Sequence, residues 1–494
     1  IDGTLANLSS IKALIGKGSS ITAPNYSEIT NLVTISNLSG GFRMEGFAVN
    51  ASSAGALVTF DNIGGKLVLK DLNVRNSGAG GGIRVINSKA SVEVQNVESS
   101  NNGAVGLYVD NTAGTGNVSI VSSDFSNNSS TGLQVFTKGA VTLNGVSARF
   151  NLGDGALLQS QKGVTVRSSV FNNNSSVAAN GYGLQLGEMN RGNVVMDWVY
   201  ANSNEEFGLF IRTLAGSVTL SNIQASFNNK TNLYINNCFD GGGICTAPAA
   251  PVNLSNASLT YSATQSGLFI NSSGVVTLTN VTADYNQVNN YVDTSYAKTP
   301  TAVNINRSVF SNTVNGVGLE LYSRGKITFN GVSASNNFYS GMVINNNYPT
   351  GSVVFLSTLG ANTIWSNGDF GLFINTGGSV TISGLDASFN GSNTVEHGAS
   401  IYAVGNVTIS GTTSLPAEFG YNFGRGLEIV TRGTVTLNFV QAYNSGVTNL
   451  DVNNTTGSGN VVMNNVATSD SLNGSGISIQ TTGSVTLKNV SAEY

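Results

Sequence analysis

The stretch Gly216–Asn237, GSVTLSNIQASFNNKTNLYINN, decides the fold. Apolar and polar residues alternate in Val218-Thr219-Leu220, again at Ile223 and Ala225, and again at Leu233 and Ile235. A period of two places the apolar side chains on one face of an extended strand. The stretch therefore holds three short strands of about three to five residues, each with one face to bury. The same phrase returns near the end as Gly483–Tyr494, GSVTLKNVSAEY.

Aligned on the first apolar residue of the VTL-like triplet, the phrase occurs 17 times. The anchors are Leu67, Val92, Val118, Val141, Val164, Val194, Val218, Val252, Val276, Val303, Ile327, Val353, Val380, Val407, Val435, Val461 and Val485. The 16 steps span 418 residues, with a mean near 26, none shorter than 23 and none longer than 34. Three strands cannot bury their own apolar face, but stacking each unit on the next buries all of them in one column. A helical solenoid is excluded, because no segment sustains a 3.6-residue period over ten residues.

The turns agree. Four residues after the anchor stands Asn or Gly in ten units: Asn96, Gly145, Asn222, Asn256, Asn280, Gly331, Gly384, Gly411, Asn465 and Asn489. These residue types tolerate the left-handed backbone conformation that a corner between the first two strands needs. Gly or Asn also precedes the third strand, as in Gly208-Leu209 and Gly371-Leu372. Asn residues stacked at equivalent corners are expected to hydrogen-bond their side-chain amides from coil to coil. A second aromatic set, Phe150, Phe227, Tyr261, Tyr285, Phe389 and Tyr494, follows the second strand and reads as corner packing.

Three strands per turn at one fixed period resembles the right-handed parallel β-helix family, which includes pectate lyases, phage tailspikes and secreted bacterial surface proteins. The resemblance covers about residues 30–494. It implies an all-β chain, a single right-handed parallel β-helix (β-solenoid) of about 18–19 coils of three short strands. The handedness is what the family implies. Residues 1–32 are assigned to opening rungs or a cap, and 33–494 to the β-helix, with an inserted loop at 238–250.

Composition narrows the function. The 494 residues include 22 Lys and Arg, 26 Asp and Glu, 60 Gly, 66 Asn, 6 Pro and one histidine, His397. Formal net charge is −4 and no basic stripe occurs, so nucleic acid is a poor partner. No apolar run reaches the about 18 residues of a membrane-crossing helix, and no cationic amphipathic stretch suggests a membrane surface. Beginning at Ile1, the chain reads as processed or as a piece of something longer.

Chemistry is sparse in this pattern. Enzymes on such a fold need acids, bases or cations clustered on one outer face. Glu205 and Glu206 point to different sides, and Asp154, Asp240, Asp369 and Asp386 fall at different repeat positions. His397 shows no obvious partner, so no catalytic residue is assigned and the chain is not expected to be an enzyme. No cofactor or metal is assigned, and nothing in the pattern supports a structural Ca²⁺. Cys238 and Cys245, six residues apart in the insertion, are read as a structural disulfide, since zinc wants four ligands. The middle residue of each third strand forms an outward row that includes Phe210, Tyr234, Phe269, Glu320, Phe373, Ser400, Glu428 and Asp451. Phe210, Tyr234 and Phe269 are the candidate binding residues, an aromatic ladder able to grip sugar rings or another rod. The 21 Asn-X-Ser/Thr sequons, among them Asn127, Asn229 and Asn489, allow glycosylation.

These features favour a secreted or cell-surface bacterial β-solenoid with a structural role: a rigid stalk, adhesin shaft, or filament or sheath subunit. Its expected partners are other copies of itself, head-to-tail or lateral, or surface glycans. Ending mid-unit at Tyr494, the sequence suggests open strand edges suited to head-to-tail stacking. The alternative is a carbohydrate-active enzyme, a polysaccharide lyase or glycosidase, or a glycan-binding module on the same fold.

Overall fold

The computed structural model describes residues 4–5, 12–18, 27–175, 181–187, 190–238, 245, 249–349, 351–393 and 395–493. Much of the expected 1–32 cap region and of the 238–250 loop lies outside the described residues. The chain divides into two compact units, Ile1–Phe239 and Asp240–Tyr494. Each is an all-β parallel β-solenoid with two ladders of strands, and no helix occurs among the described residues.

In the first unit, one ladder of third strands climbs from Val33–Leu38 to Leu233–Asn236. The other climbs from Phe42–Asn50 to Val218–Gln224. Repeat anchors pair with one another, as in Val194↔Val218 beside Met196↔Leu220. The second unit repeats the scheme, with third strands from Leu268–Asn271 to Ile477–Thr481 and the other ladder from Val252–Ser258 to Val485–Ala492. Val218, Leu220, Leu233 and Ile235 are no more than 1 % exposed, so the alternating pattern lines the interior as expected.

The first and second strands of a coil share one ladder that bends at a single residue. Nine of the ten expected corner residues have positive φ, from 50° at Asn96 to 67° at Gly331; Gly411 is the exception. Five residues, 412–416, separate Gly411 from the next strand, Ala417–Gly420, and a corner that long needs no single left-handed residue. The same position holds Asp71, Ser122, Ser168, Trp198, Arg307 and Phe439 at φ between 46° and 54°. The coil geometry thus imposes the conformation even where the side chain disfavours it, at a cost of about 1–2 kcal/mol each.

The second corner repeats the device. Phe150, Phe227, Tyr261, Tyr285 and Phe389 all have φ between 52° and 60°. Their rings stand outside the column, and some stack on neighbours, Tyr261 on Tyr285 at 5.0 Å and Phe389 on Tyr421 at 4.8 Å. Tyr494, the last of that expected set, lies outside the described residues. The next residue turns inward and forms a buried amide ladder, Asn102–Asn128–Asn151–Asn174–Asn204–Asn228. Each member donates both its backbone N–H and its side-chain Nδ2 to the Oδ1 of the next, as Asn151 does to Asn174 at 3.2 and 3.0 Å. Asn337, Asn367, Asn390 and Asn422 form the same ladder in the second unit. The expected first-corner ladder is present too, but exposed: Asn280 Nδ2 donates to Asn256 Oδ1 at 2.9 Å.

Candidate functional site

One turn of the second unit breaks the repeat. From the left-handed corner residue to the start of the third strand takes six residues in Asn336–Met342, Ser366–Leu372 and Tyr421–Leu427, but ten in Phe389–Ala399. The longer turn carries Glu396 and His397. His397 occupies the position two residues before the third-strand anchor, the position of Phe370 one coil earlier and Arg425 one coil later. Beside it runs the outward row, in which Phe373, Ser400, Glu428 and Asp451 are consecutive cross-strand partners. Two adjacent columns on successive coils therefore bring an imidazole, a guanidinium and two carboxylates together.

Glu428 is the hub. Its Oε2 accepts from Ser400 Oγ at 2.6 Å and from Tyr402 OH at 3.1 Å. Arg425 Nη1 lies 3.3 Å from Glu428 Oε1, and Arg425 Nε lies 3.0 Å from Asp451 Oδ2, so one guanidinium spans both carboxylates. His397 is buried against Phe370, whose ring meets the imidazole edge-on at 5.4 Å. The backbone N–H of Arg425 donates to His397 Nδ1 at 3.1 Å. His397 Nε2 lies 3.2 Å from Arg425 Nη1, which can only donate, and 3.7 Å from Glu428 Oε2. Burial pushes the His397 pKa below its ordinary value; Glu428 opposes the shift and Arg425 adds to it. Burial thus favours the neutral imidazole.

A second pair of acids adjoins it. Glu396 accepts from the backbone N–H groups of Ser392 at 2.6 Å and Asn393 at 3.0 Å, and from the Asn393 side chain. Burial raises its pKa, but these donors outweigh burial and hold the carboxyl below its usual range. Asp369, on the preceding coil, is pushed upward by burial and then by the charge of Glu396 and a hydrogen bond to it. The two carboxyls are therefore driven apart in acidity, with the proton favoured on Asp369.

The residues singled out in the sequence fall elsewhere. Phe210 and Tyr234 are cross-strand partners with rings stacked at 4.7 Å. Phe210 is not the open platform expected: at 7 % exposed it is covered by Phe207, Tyr182 and Arg212, whose side chains close over the row. Phe269 lies in the second unit and stacks on Tyr291 at 4.9 Å, a row member that the sequence reading passed over. Cys238 and Cys245 are both buried and disulfide-bonded, and neither is free. His397 does have partners, and Glu428 and Asp451 do recur at one repeat position, contrary to expectation. The signal lay in reading two columns together. His397 and Arg425 align only when the longer turn is measured back from the third-strand anchor. Among the described residues, no group of three or more His, Cys, Asp or Glu converges to hold a metal ion.

Residues 46–225 match the family model for a right-handed β-helix region. No curated protein sequence matches the chain. Among solved structures, a pectate lyase aligns with 59 % of this chain and 71 % of its own at 16 % identity, with a TM-score of 0.35. A periplasmic alginate epimerase aligns with 94 % of this chain and 84 % of its own at 9 % identity, with a TM-score of 0.22. At these identities the likeness shows the fold. Both neighbours are enzymes by name, a lyase and an epimerase, against the expectation that the chain is not an enzyme; at these identities and TM-scores they assign it no activity.

Proposed function

We propose that this chain is a carbohydrate-active enzyme that works on a glycan at the outer face of its second unit. The observation that carries the reading is the convergence of His397, Arg425, Glu428 and Asp451 on successive coils, with burial favouring the neutral imidazole. In this reading His397 transfers a proton and Glu428 orients it. Arg425 holds both carboxylates in place, and Asp451 supplies a second carboxylate facing the sugar. Phe373 and Tyr402, whose rings meet at 5.7 Å beside the cluster, offer an apolar surface for a sugar ring. Pectate and alginate, the substrates named for the two solved neighbours, are starting points for the substrate panel.

A location outside the cytoplasm belongs to the same proposal, supported by the disulfide-bonded cysteines. A rigid extracellular shaft is the second reading. It is favoured by the buried amide ladders, which tie coil to coil through side chains as well as backbone. The test is product release from a panel of neutral and acidic polysaccharides, scored as new reducing or unsaturated ends. The wild type should release product, and His397→Gln and Glu428→Gln should each lose roughly 10²-fold or more. No release from any polysaccharide, or variants as active as wild type, refutes the proposal.

A further inference from the structure

Beside the cluster, a groove of about 740 Å³ crosses four successive turns of the second unit. At roughly 4.8 Å per coil its length is about 14 Å, enough for a few sugar rings. The long turn after Phe389 forms one wall, through Gly391 and Ser392, and Val314 belongs to the opposite end. Three of the lining residues are exposed aromatics: Phe338 at 57 %, Tyr339 at 42 % and Phe389 at 50 %. Phe338 and Tyr339 meet edge to face at 4.9 Å, so one ring face stays open. Exposed rings beside a lining rich in Asn, Ser and Thr are the combination that grips the apolar face and the hydroxyl rim of a sugar.

Charge selects among sugars. No Lys or Arg lines the groove, and its one lining carboxyl is Asp369, which pairs with Glu396. A polyanionic glycan would meet a carboxyl and no cation, whereas an uncharged one meets only acceptors, amides and rings. We infer that the groove lined by Phe338, Tyr339, Asp369 and Phe389 is a binding subsite for an uncharged oligosaccharide, which it feeds towards His397. This rests on the carbohydrate-active reading of the neighbouring cluster and adds the place and the charge class of the ligand.

The experiment is calorimetric titration of the full chain with uncharged hexasaccharides from cellulose, xylan and mannan, and with oligogalacturonate as the charged probe. An uncharged hexasaccharide should bind, and Phe338→Ala and Phe389→Ala should each weaken it about tenfold. Both side chains are exposed, so the fold should survive, and unchanged circular dichroism would verify it. Val314→Trp, which fills the groove from its other end, should block binding. Wild-type affinity in both aromatic variants, binding of oligogalacturonate alone, or no binding of any uncharged probe overturns the inference. Binding without product release would leave the groove standing and defeat the catalytic reading. Product release with unaltered binding in the aromatic variants would defeat the groove alone.

Discussion

Replacing Asn367 by Ala tests what the buried amide ladder contributes. Asn367 is 2 % exposed. Its Nδ2 donates to Asn390 Oδ1 at 2.8 Å and to the Ala334 carbonyl at 3.1 Å. Its Oδ1 accepts from the Asn337 backbone N–H at 3.1 Å and from Asn337 Nδ2 at 2.8 Å. The substitution removes all four. Asn337 Nδ2 keeps the Phe310 carbonyl at 3.2 Å, but the Asn337 N–H is left buried with no acceptor. At about 1 kcal/mol for each net hydrogen bond, and more for the orphaned donor, the loss is roughly 3–5 kcal/mol. Asn280→Ala is the control: it removes one exposed bond, at 2.9 Å, and should cost about 1 kcal/mol. Urea unfolding followed by far-ultraviolet circular dichroism and by the fluorescence of Trp365 measures both. Stacked coils need not unfold in one step, so the midpoint and the slope should be compared together. If Asn367→Ala shifts the transition no further than Asn280→Ala, the buried ladder is not what ties the coils together.

Other outcomes follow from single residues. Asp154 is buried in the first unit, and burial raises its pKa to about 6. That lies above the unfolded carboxyl value near 3.9, so the folded chain holds the proton more tightly. The contribution of Asp154 to stability should therefore be highest below about pH 4, fall as pH rises to about 6, and level off above. Asp154→Asn, whose amide oxygen can still accept from the Tyr182 N–H, should remove that fall and add about 2–3 kcal/mol at neutral pH; an unaltered slope in urea titrations across this range would count against it. Trp198 sits at φ 54° with its ring half exposed. Trp198→Asn should raise the melting temperature by a few degrees, through about 0.5–1 kcal/mol of relieved backbone strain. A lower melting temperature would mean that the ring's packing outweighs the strain.

The sequence made the coil legible because its signal is periodic. Each anchor sits one coil above the last, and a period-two pattern leaves one choice of buried face, so Val218 and Leu233 could be placed inside without coordinates. Corner residues were legible for the same reason, although Trp198 and Phe439 show that the corner dictates the conformation and Asn merely suits it. The buried amide ladder was harder to see. Asn is as frequent in exposed turns as in the ladder, and only the direction of the side chain separates Asn127 from Asn128. The candidate site was least legible because it depends on a departure from the repeat. Four extra residues after Phe389 shift His397 out of register with the anchor count, and Glu428 and Asp451 looked like ordinary members of a mixed outward row. Phe210 was misjudged because alternation tells which way a side chain leaves the strand, not what folds over it; Phe207 and Arg212 do.

The most direct test of the catalytic face is a crystal structure of the Glu428→Gln variant soaked with the oligosaccharide that binds most tightly. The account predicts a sugar unit within hydrogen-bond distance of His397, residue 428 or Asp451, with the chain continuing towards Phe338. A sugar bound only at a remote surface, with the Arg425 network undisturbed and closed, would contradict it.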